Sequence, residues 1–181
     1  MTLLILGLIL WSGAHYFKRL APGLREPMGD KGMALVAVGV LGSLVLMVLG
    51  YRQAEVIPIW YPPTWTVHLN NLLMVIAIFV YGMSATTGRL RGKMRHPQLT
   101  AVKIWAVAHL LVNGDLASIV LFGGMLAWAV GSVILINRSS PWVRPEPGPA
   151  KKDIVLVVIT VVMFVVITGI HAWLGVWPFP G

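Results

Sequence analysis

The sequence predicts an all-α fold, a polytopic transmembrane helical bundle of about six helices with both termini outside. Three observations carry this reading. The 181 residues are 57% hydrophobic and only 11% charged, with a mean hydropathy of +0.82. An ordinary soluble domain is about 25% charged. A chain this small could not hide so much apolar surface in one core, so lipid must solvate part of it. The apolar residues fall into six stretches, and the basic residues collect in alternate loops between them.

The first stretch, Thr2–Phe17, is shorter than the ~20 residues of a full span. It becomes long enough if Lys18 and Arg19 snorkel to the interface. Ser12-Gly13-Ala14 has the small residues of a cleavage site, but basic residues follow the stretch and none precedes it, so an uncleaved first helix is expected. Met33–Gly50, Val67–Met83, Leu116–Ile136 and Ile154–Leu174 meet or approach the length of a span, whereas Gln98–Val112 is short. Asn113-Gly114-Asp115 breaks an apolar run from Ile104 to Ile136. Gly supplies unusual backbone angles and Asp caps the next helix, so a tight helical hairpin is expected there.

Lys18, Arg19, Arg25 and Lys31 follow the first stretch, Arg89, Arg91, Lys93 and Arg95 the third, and Arg138, Arg144, Lys151 and Lys152 the fifth; only Arg52 and Lys103 lie elsewhere. Positive charge accumulates on the cytoplasmic side, which places both termini outside. The chain reads as one domain, residues 1–181, with a Pro-rich cytoplasmic loop over residues 137–153. Pro141, Pro145, Pro147 and Pro149 make that loop an extended linker without structure of its own. The outer loop carries Trp60, Tyr61 and Trp65, read as interfacial anchors. Gly123, Ala127 and Gly131 recur at every fourth residue and predict a smooth face on the fifth long helix for close packing.

The net charge of +8 and pI of about 10.3 do not point to nucleic acid, because the charges sit in juxtamembrane clusters rather than along one soluble face. There is no cysteine, hence no disulfide, thiolate metal site or cysteine nucleophile. There is no Walker motif, GxGxxG, HExxH or acidic calcium cluster, and carboxylates are too scattered to propose an acid/base pair for hydrolysis.

Ionisable side chains inside a bilayer are costly and face a partner, water or a ligand. Trp105, His109 and Asn113 recur at i, i+4 and so share one helix face, which should point inward. His15 lies one turn after Trp11. His109, with His15, is a candidate to ligate a metal or haem; the alternative is a buried histidine bonded to a neighbouring helix. His109 is ~16 Å from Gln98 along its helix and His15 only ~3 Å from the end of its own, an offset that helix tilt must absorb if they share one iron. Pro97 suits a first helical turn and leaves His96 outside the helix beside Arg95, where an anionic group or lipid phosphates could be met. His68 and His171 read as interfacial, with a second outer pair as the alternative.

Arg95-His96-Pro97-Gln98-Leu99, Lys103-Ile104-Trp105-Ala106, Ala108-His109-Leu110-Leu111-Val112-Asn113-Gly114-Asp115, Leu121-Phe122-Gly123-Gly124 and Ala127-Trp128 together resemble the core signature of the NnrU family, and His15 followed by Lys18-Arg19-Leu20 fits the same pattern. The resemblance implies a multi-pass protein of the bacterial inner (cytoplasmic) membrane, associated with nitrite and nitric oxide metabolism. The family includes the plant 15-cis-ζ-carotene isomerases, membrane haem b proteins. Carried over by position, their haem-linked histidines correspond to His15 and His109. Haem b is thus the expected cofactor, with Trp105 and Asn113 beside the ligands and Arg95 and His96 as partners for a propionate or an anionic substrate group. The chemistry expected is nitrogen-oxide or redox handling, or isomerisation of a lipophilic polyene.

Two other readings compete. Arg95-His96-Pro97 also resembles a segment of the isoprenylcysteine carboxyl methyltransferases that contributes to S-adenosylmethionine binding, but the tyrosine and the Glu-rich segment expected after it are missing. A non-catalytic membrane assembly subunit would use the small-residue face of the fifth long helix. The expected partners are the lipid bilayer, a lipophilic small molecule or redox partner and, as an oligomer, a second copy, with no nucleic acid.

Overall fold

A computed structural model describes residues 1–180. Six helices carry the chain: α1 (Thr2–Leu20), α3 (Gly29–Arg52), α4 (Thr66–Gly82), α5 (Pro97–Val112), α6 (Leu116–Ser139) and α7 (Lys151–Trp173), with a single helical turn, α2 (Pro22–Arg25), after the first. No strand occurs among the described residues, only an isolated antiparallel bridge between Pro58 and Asp115. Each helix lies within a few residues of its expected stretch. Pro22–Arg52, Leu116–Ser139 and Lys151–Trp173 are long and apolar enough to cross a membrane; α4 and α5 are shorter apolar helices.

The helices gather into two compact units, interleaved in sequence: residues 1–61 with 114–140, and residues 62–113 with 141–181. The first holds α1, α3 and α6, and the second α4, α5 and α7. The chain passes from one unit to the other at the Asn113–Gly114 break, so the hairpin expected of α5 and α6 is a feature of neither unit.

In the first unit, α1 and α3 run antiparallel along a seam of small residues. A methyl added at Gly50 would land on the backbone of Leu4, and one at Gly7 on the backbone and side chain of Met47; further along, Gly42 faces Leu10 and Gly39 faces Ala14. Ser43, fully buried in this seam, returns its hydroxyl proton to the Val40 carbonyl at 2.6 Å. Close backbone approach of this kind is how helices associate where lipid is as apolar as their side chains. The Gly123-Ala127-Gly131 stripe departs from expectation. Ala127 is exposed and a methyl on Gly123 would meet nothing within 4 Å, while α6 approaches α1 through Gly124 against Leu8 and Gly131 against the Tyr16 hydroxyl.

The break before α6 is closed by backbone bonds. The Ile59 and Trp60 amides donate to the Gly114 carbonyl at 2.8 and 3.1 Å, and Leu116 N donates to Ile57 O at 2.9 Å. Gly114 is obligatory, because any Cβ there would collide with the Trp60 carbonyl. Asp115 is the N-cap expected of it, accepting from Ser118 N at 2.9 Å and from the Ser118 hydroxyl at 2.5 Å. Ser118 Oγ therefore accepts from the Tyr51 hydroxyl at 2.8 Å, which fastens the end of α3 to the start of α6.

In the second unit α4 and α7 are antiparallel. Gly82 at the end of α4 meets Leu156 near the start of α7, and the Asn71 amide near the other end of α4 donates to Pro178 O at 3.0 Å, beyond the end of α7. Of the Pro-rich loop expected over residues 137–153, only 140–150 have no helix or strand, the ends belonging to α6 and α7, and this stretch is anchored: Gly148 N donates to Gly88 O at 3.0 Å. Arg89 pairs with Asp153 at 3.1 Å, and Leu90 N donates to the same carboxylate at 3.3 Å. Apart from Arg52 at the other end of α3 and Lys103 within α5, the basic residues of each unit collect at one end, among them Lys18, Arg19, Lys31 and Arg138 in the first, and Arg89, Arg91, Lys151 and Lys152 in the second.

The α1–α3 seam yields a test. Gly50→Ala should lower stability by about 1–3 kcal/mol, read as an earlier thermal transition in detergent. Gly13→Ala, whose methyl meets nothing within 4 Å, should be neutral or slightly stabilising. Equal transitions for the two variants would mean that α1 and α3 do not meet along this line.

Candidate histidine sites

Each unit contains one histidine with a tryptophan four residues before it, and both pairs are built the same way. In α1, His15 Nδ1 lies 2.8 Å from the Trp11 carbonyl; in α5, His109 Nδ1 lies 2.9 Å from the Trp105 carbonyl. A carbonyl oxygen only accepts, so Nδ1 must carry the proton, and in the neutral imidazole the lone pair then resides on Nε2. The carbonyl four residues back fixes the tautomer and the ring orientation together, as it does for histidines that ligate metals.

Around His15 the first unit assembles an aromatic cluster. Its ring stands 4.3 Å from Trp11 and 4.9 Å from Trp128, centroid to centroid, and the two indoles meet edge to face at 5.2 Å. Trp128, 8% exposed, comes from α6. It is held in place from α1, since the Tyr16 hydroxyl donates to the Trp128 carbonyl at 2.7 Å. The indole N–H groups of both Trp11 and Trp128 are buried without an acceptor. Buried donors are nearly always paired, so two such groups beside a histidine amount to unused hydrogen-bonding capacity in one place.

In the second unit Trp105, His109 and Asn113 lie together on one face of α5, as the spacing predicts. The Trp105 and His109 rings are 5.2 Å apart, and the Asn113 side-chain amide donates to the His109 carbonyl at 2.8 Å, closing the last turn of the helix. All three are half-buried. On α7, His171 Nδ1 is engaged by the Ile167 carbonyl at 2.8 Å.

The remaining expected site residues are placed apart from these. His96 is the N-cap of α5 and Pro97 its first residue, so Arg95 and His96 sit at the opposite end of α5 from His109, ~20 Å away by helical rise. Both are half-buried and engaged in interactions of their own. His68 is exposed at the start of α4, while His171 is half-buried. No group of three or more His, Asp or Glu side chains that could hold a metal ion occurs among the described residues; a haem iron asks the protein for only one or two axial donors. Sequence reasoning did not give Trp128 or Tyr16 a part in the site. Their signal was weak: a tryptophan inside a long apolar run, and a tyrosine following a histidine.

The model of the NnrU protein family matches residues 3–178, nearly the whole chain. No curated protein and no solved structure matches it.

The Tyr16–Trp128 bond gives a direct check on the His15 cluster. Tyr16→Phe should cost about 0.5–1.5 kcal/mol in thermal unfolding and should alter the tryptophan emission as Trp128 loses its restraint. An emission spectrum and midpoint identical to those of the parent chain would show that this contact does not form.

Proposed function

The chain belongs to the NnrU family, and from that premise we propose that it is a multi-pass membrane protein that would bind haem b, with His15 and His109 as the residues to hold it. The observation that carries the proposal is the shared state of the two imidazoles: Nδ1 is occupied by the carbonyl of a tryptophan four residues earlier, so the lone pair is on Nε2, the atom an iron would take. His171 shares the carbonyl contact but has Ile167 in place of tryptophan.

The residues fit such a group on three grounds. The donors are neutral imidazoles, the commonest haem ligands. Trp11 and Trp128 beside His15, and separately Trp105 beside His109, present flat apolar surfaces of the kind a macrocycle stacks on. The acceptorless indole N–H groups beside His15 match the carboxylates that such a group carries. Haem b would supply a redox-active iron. The chain's own residues then have defined tasks. Trp11 and Trp105 lend carbonyls that orient the ligands, Tyr16 positions Trp128, and Asn113 holds the last turn of α5 around His109.

In this reading α1, α4 and α5 complete six spans with α3, α6 and α7, in the inner membrane of a bacterium. The gathering of basic residues at one end of each unit supports a cytoplasmic placement for those ends and an outer placement for both termini. The activity proposed is in nitrite or nitric oxide metabolism, or the isomerisation of a lipophilic polyene.

The test is a spectrum. Protein purified in detergent from haem-replete cells should show a Soret band. His15→Ala and His109→Ala should each lower haem retention at least tenfold or change the coordination of the iron, whereas His68→Ala should leave the spectrum intact. A colourless parent chain, or a Soret band indifferent to His109→Ala, would refute the assignment.

A further inference from the structure

The basic end of the second unit is held together by the bonds that anchor the linker, and a cavity of about 220 Å³ opens beside it. One wall is a single face of α7, where Lys152, Val155, Leu156 and Ile159 follow one another at i, i+3, i+4 and i+7. Facing them are the end of α4 and the residues after it. Gly82 and the small Ala85 leave the space open, and Thr86 and Thr87, which carry hydroxyls, also line it. Ile159 is ~10 Å further along the helix than Lys152, so the wall passes from ammonium and hydroxyl to pure aliphatic over the depth of a membrane interface. α7 is one of the helices long and apolar enough to span, and Lys152 is its second residue.

The charge at the rim favours an anion. Asp153, the neighbouring carboxylate, is engaged by Arg89 and by Leu90 N and its charge is largely met. Lys152 is exposed and pairs with no carboxylate among the described residues. Thr86 Oγ1 already accepts from Gly88 N at 3.1 Å, which leaves its proton to donate. At about 220 Å³ the cavity is smaller than a site for a drug-sized ligand, typically about 300–1,000 Å³, and suits part of a longer molecule.

We propose that this groove is a binding site for an anionic phospholipid, with the phosphate held by Lys152 and the Thr86 and Thr87 hydroxyls and an acyl chain lying along Val155, Leu156 and Ile159. The site is independent of the histidines and stands whether or not the chain binds haem.

Native mass spectrometry of the full chain, titrated in detergent with phosphatidylglycerol or phosphatidylcholine, tests it. The parent should prefer phosphatidylglycerol. Lys152→Ala should weaken phosphatidylglycerol binding about fivefold, the effect of one basic residue near a membrane surface, and should unfold at the parent's temperature because Lys152 is exposed. Lys151→Ala, which removes an adjacent lysine that does not line the groove, should bind as the parent does. Ala85→Phe, which fills the groove and leaves Lys152 in place, should also weaken binding. The proposal is overturned if both lipids bind equally, if Lys151→Ala matches Lys152→Ala, or if Ala85→Phe has no effect. Competition by glycerol phosphate at the concentration effective for the lipid would also overturn it, since the groove would then be reading a free anion.

Discussion

Where lipid replaces water, every backbone amide and carbonyl must find its partner within the chain, and the places where the helices stop are organised by that demand. The break at Asn113–Asp115 leaves backbone groups unpaired on both sides. The loop before α4 answers it: Gly114 O receives the Ile59 and Trp60 amides, Leu116 N reaches Ile57 O, and Asp115 takes the orphan amide of Ser118. The second unit meets the same demand at its basic end, with the Gly88 carbonyl accepting from Gly148 and the Asp153 carboxylate from Leu90. A segment without helix or strand is therefore not a loose one here.

The same rule prepares the histidines. A carbonyl inside an α-helix already accepts from the amide four residues on, and its second lone pair can take a side-chain donor from that same turn. His15 and His109 use this second acceptor site, so the tautomer is fixed within a single helical turn and needs no other element. Tryptophan at the carbonyl position adds a ring for the imidazole to rest against. In the first unit that ring recruits Trp128 from α6, and Tyr16, the next residue after His15, holds Trp128 by its carbonyl.

The elements were legible because hydropathy, charge and turn chemistry point the same way. Gln98–Val112 differs from α5 by one residue, its start marked by Pro97 and its end by Asn113-Gly114-Asp115. The grouping of the elements was not legible. A helix apolar on all sides carries no periodic mark of which face meets protein, so the α1–α3 seam through Gly7, Gly39, Gly42 and Gly50 went unseen. The more regular Gly123-Ala127-Gly131 stripe stood out instead, although only Gly131 of the three comes close to a neighbour in its unit. Regular spacing shows that a face exists, not that a partner fills it. The i, i+4 set of Trp105, His109 and Asn113 was readable because its polar members need partners wherever the helix lies. Trp128 has one N–H in a large apolar body, and it became visible only when that N–H proved to be buried without an acceptor.

That difference bears on the proposal that His15 and His109 would hold a haem. His171 has its Nδ1 engaged like the other two, so the carbonyl contact alone does not single out a site. What separates His15 and His109 is the tryptophan four residues back, whose carbonyl engages Nδ1 and whose ring lies against the imidazole. The two unpaired indole donors around His15 carry the argument further. A purely structural cluster would be expected to satisfy them, because each unpaired buried donor costs about 1–3 kcal/mol. Both are found at the same histidine, where an incoming acceptor would recover the cost at the moment it binds.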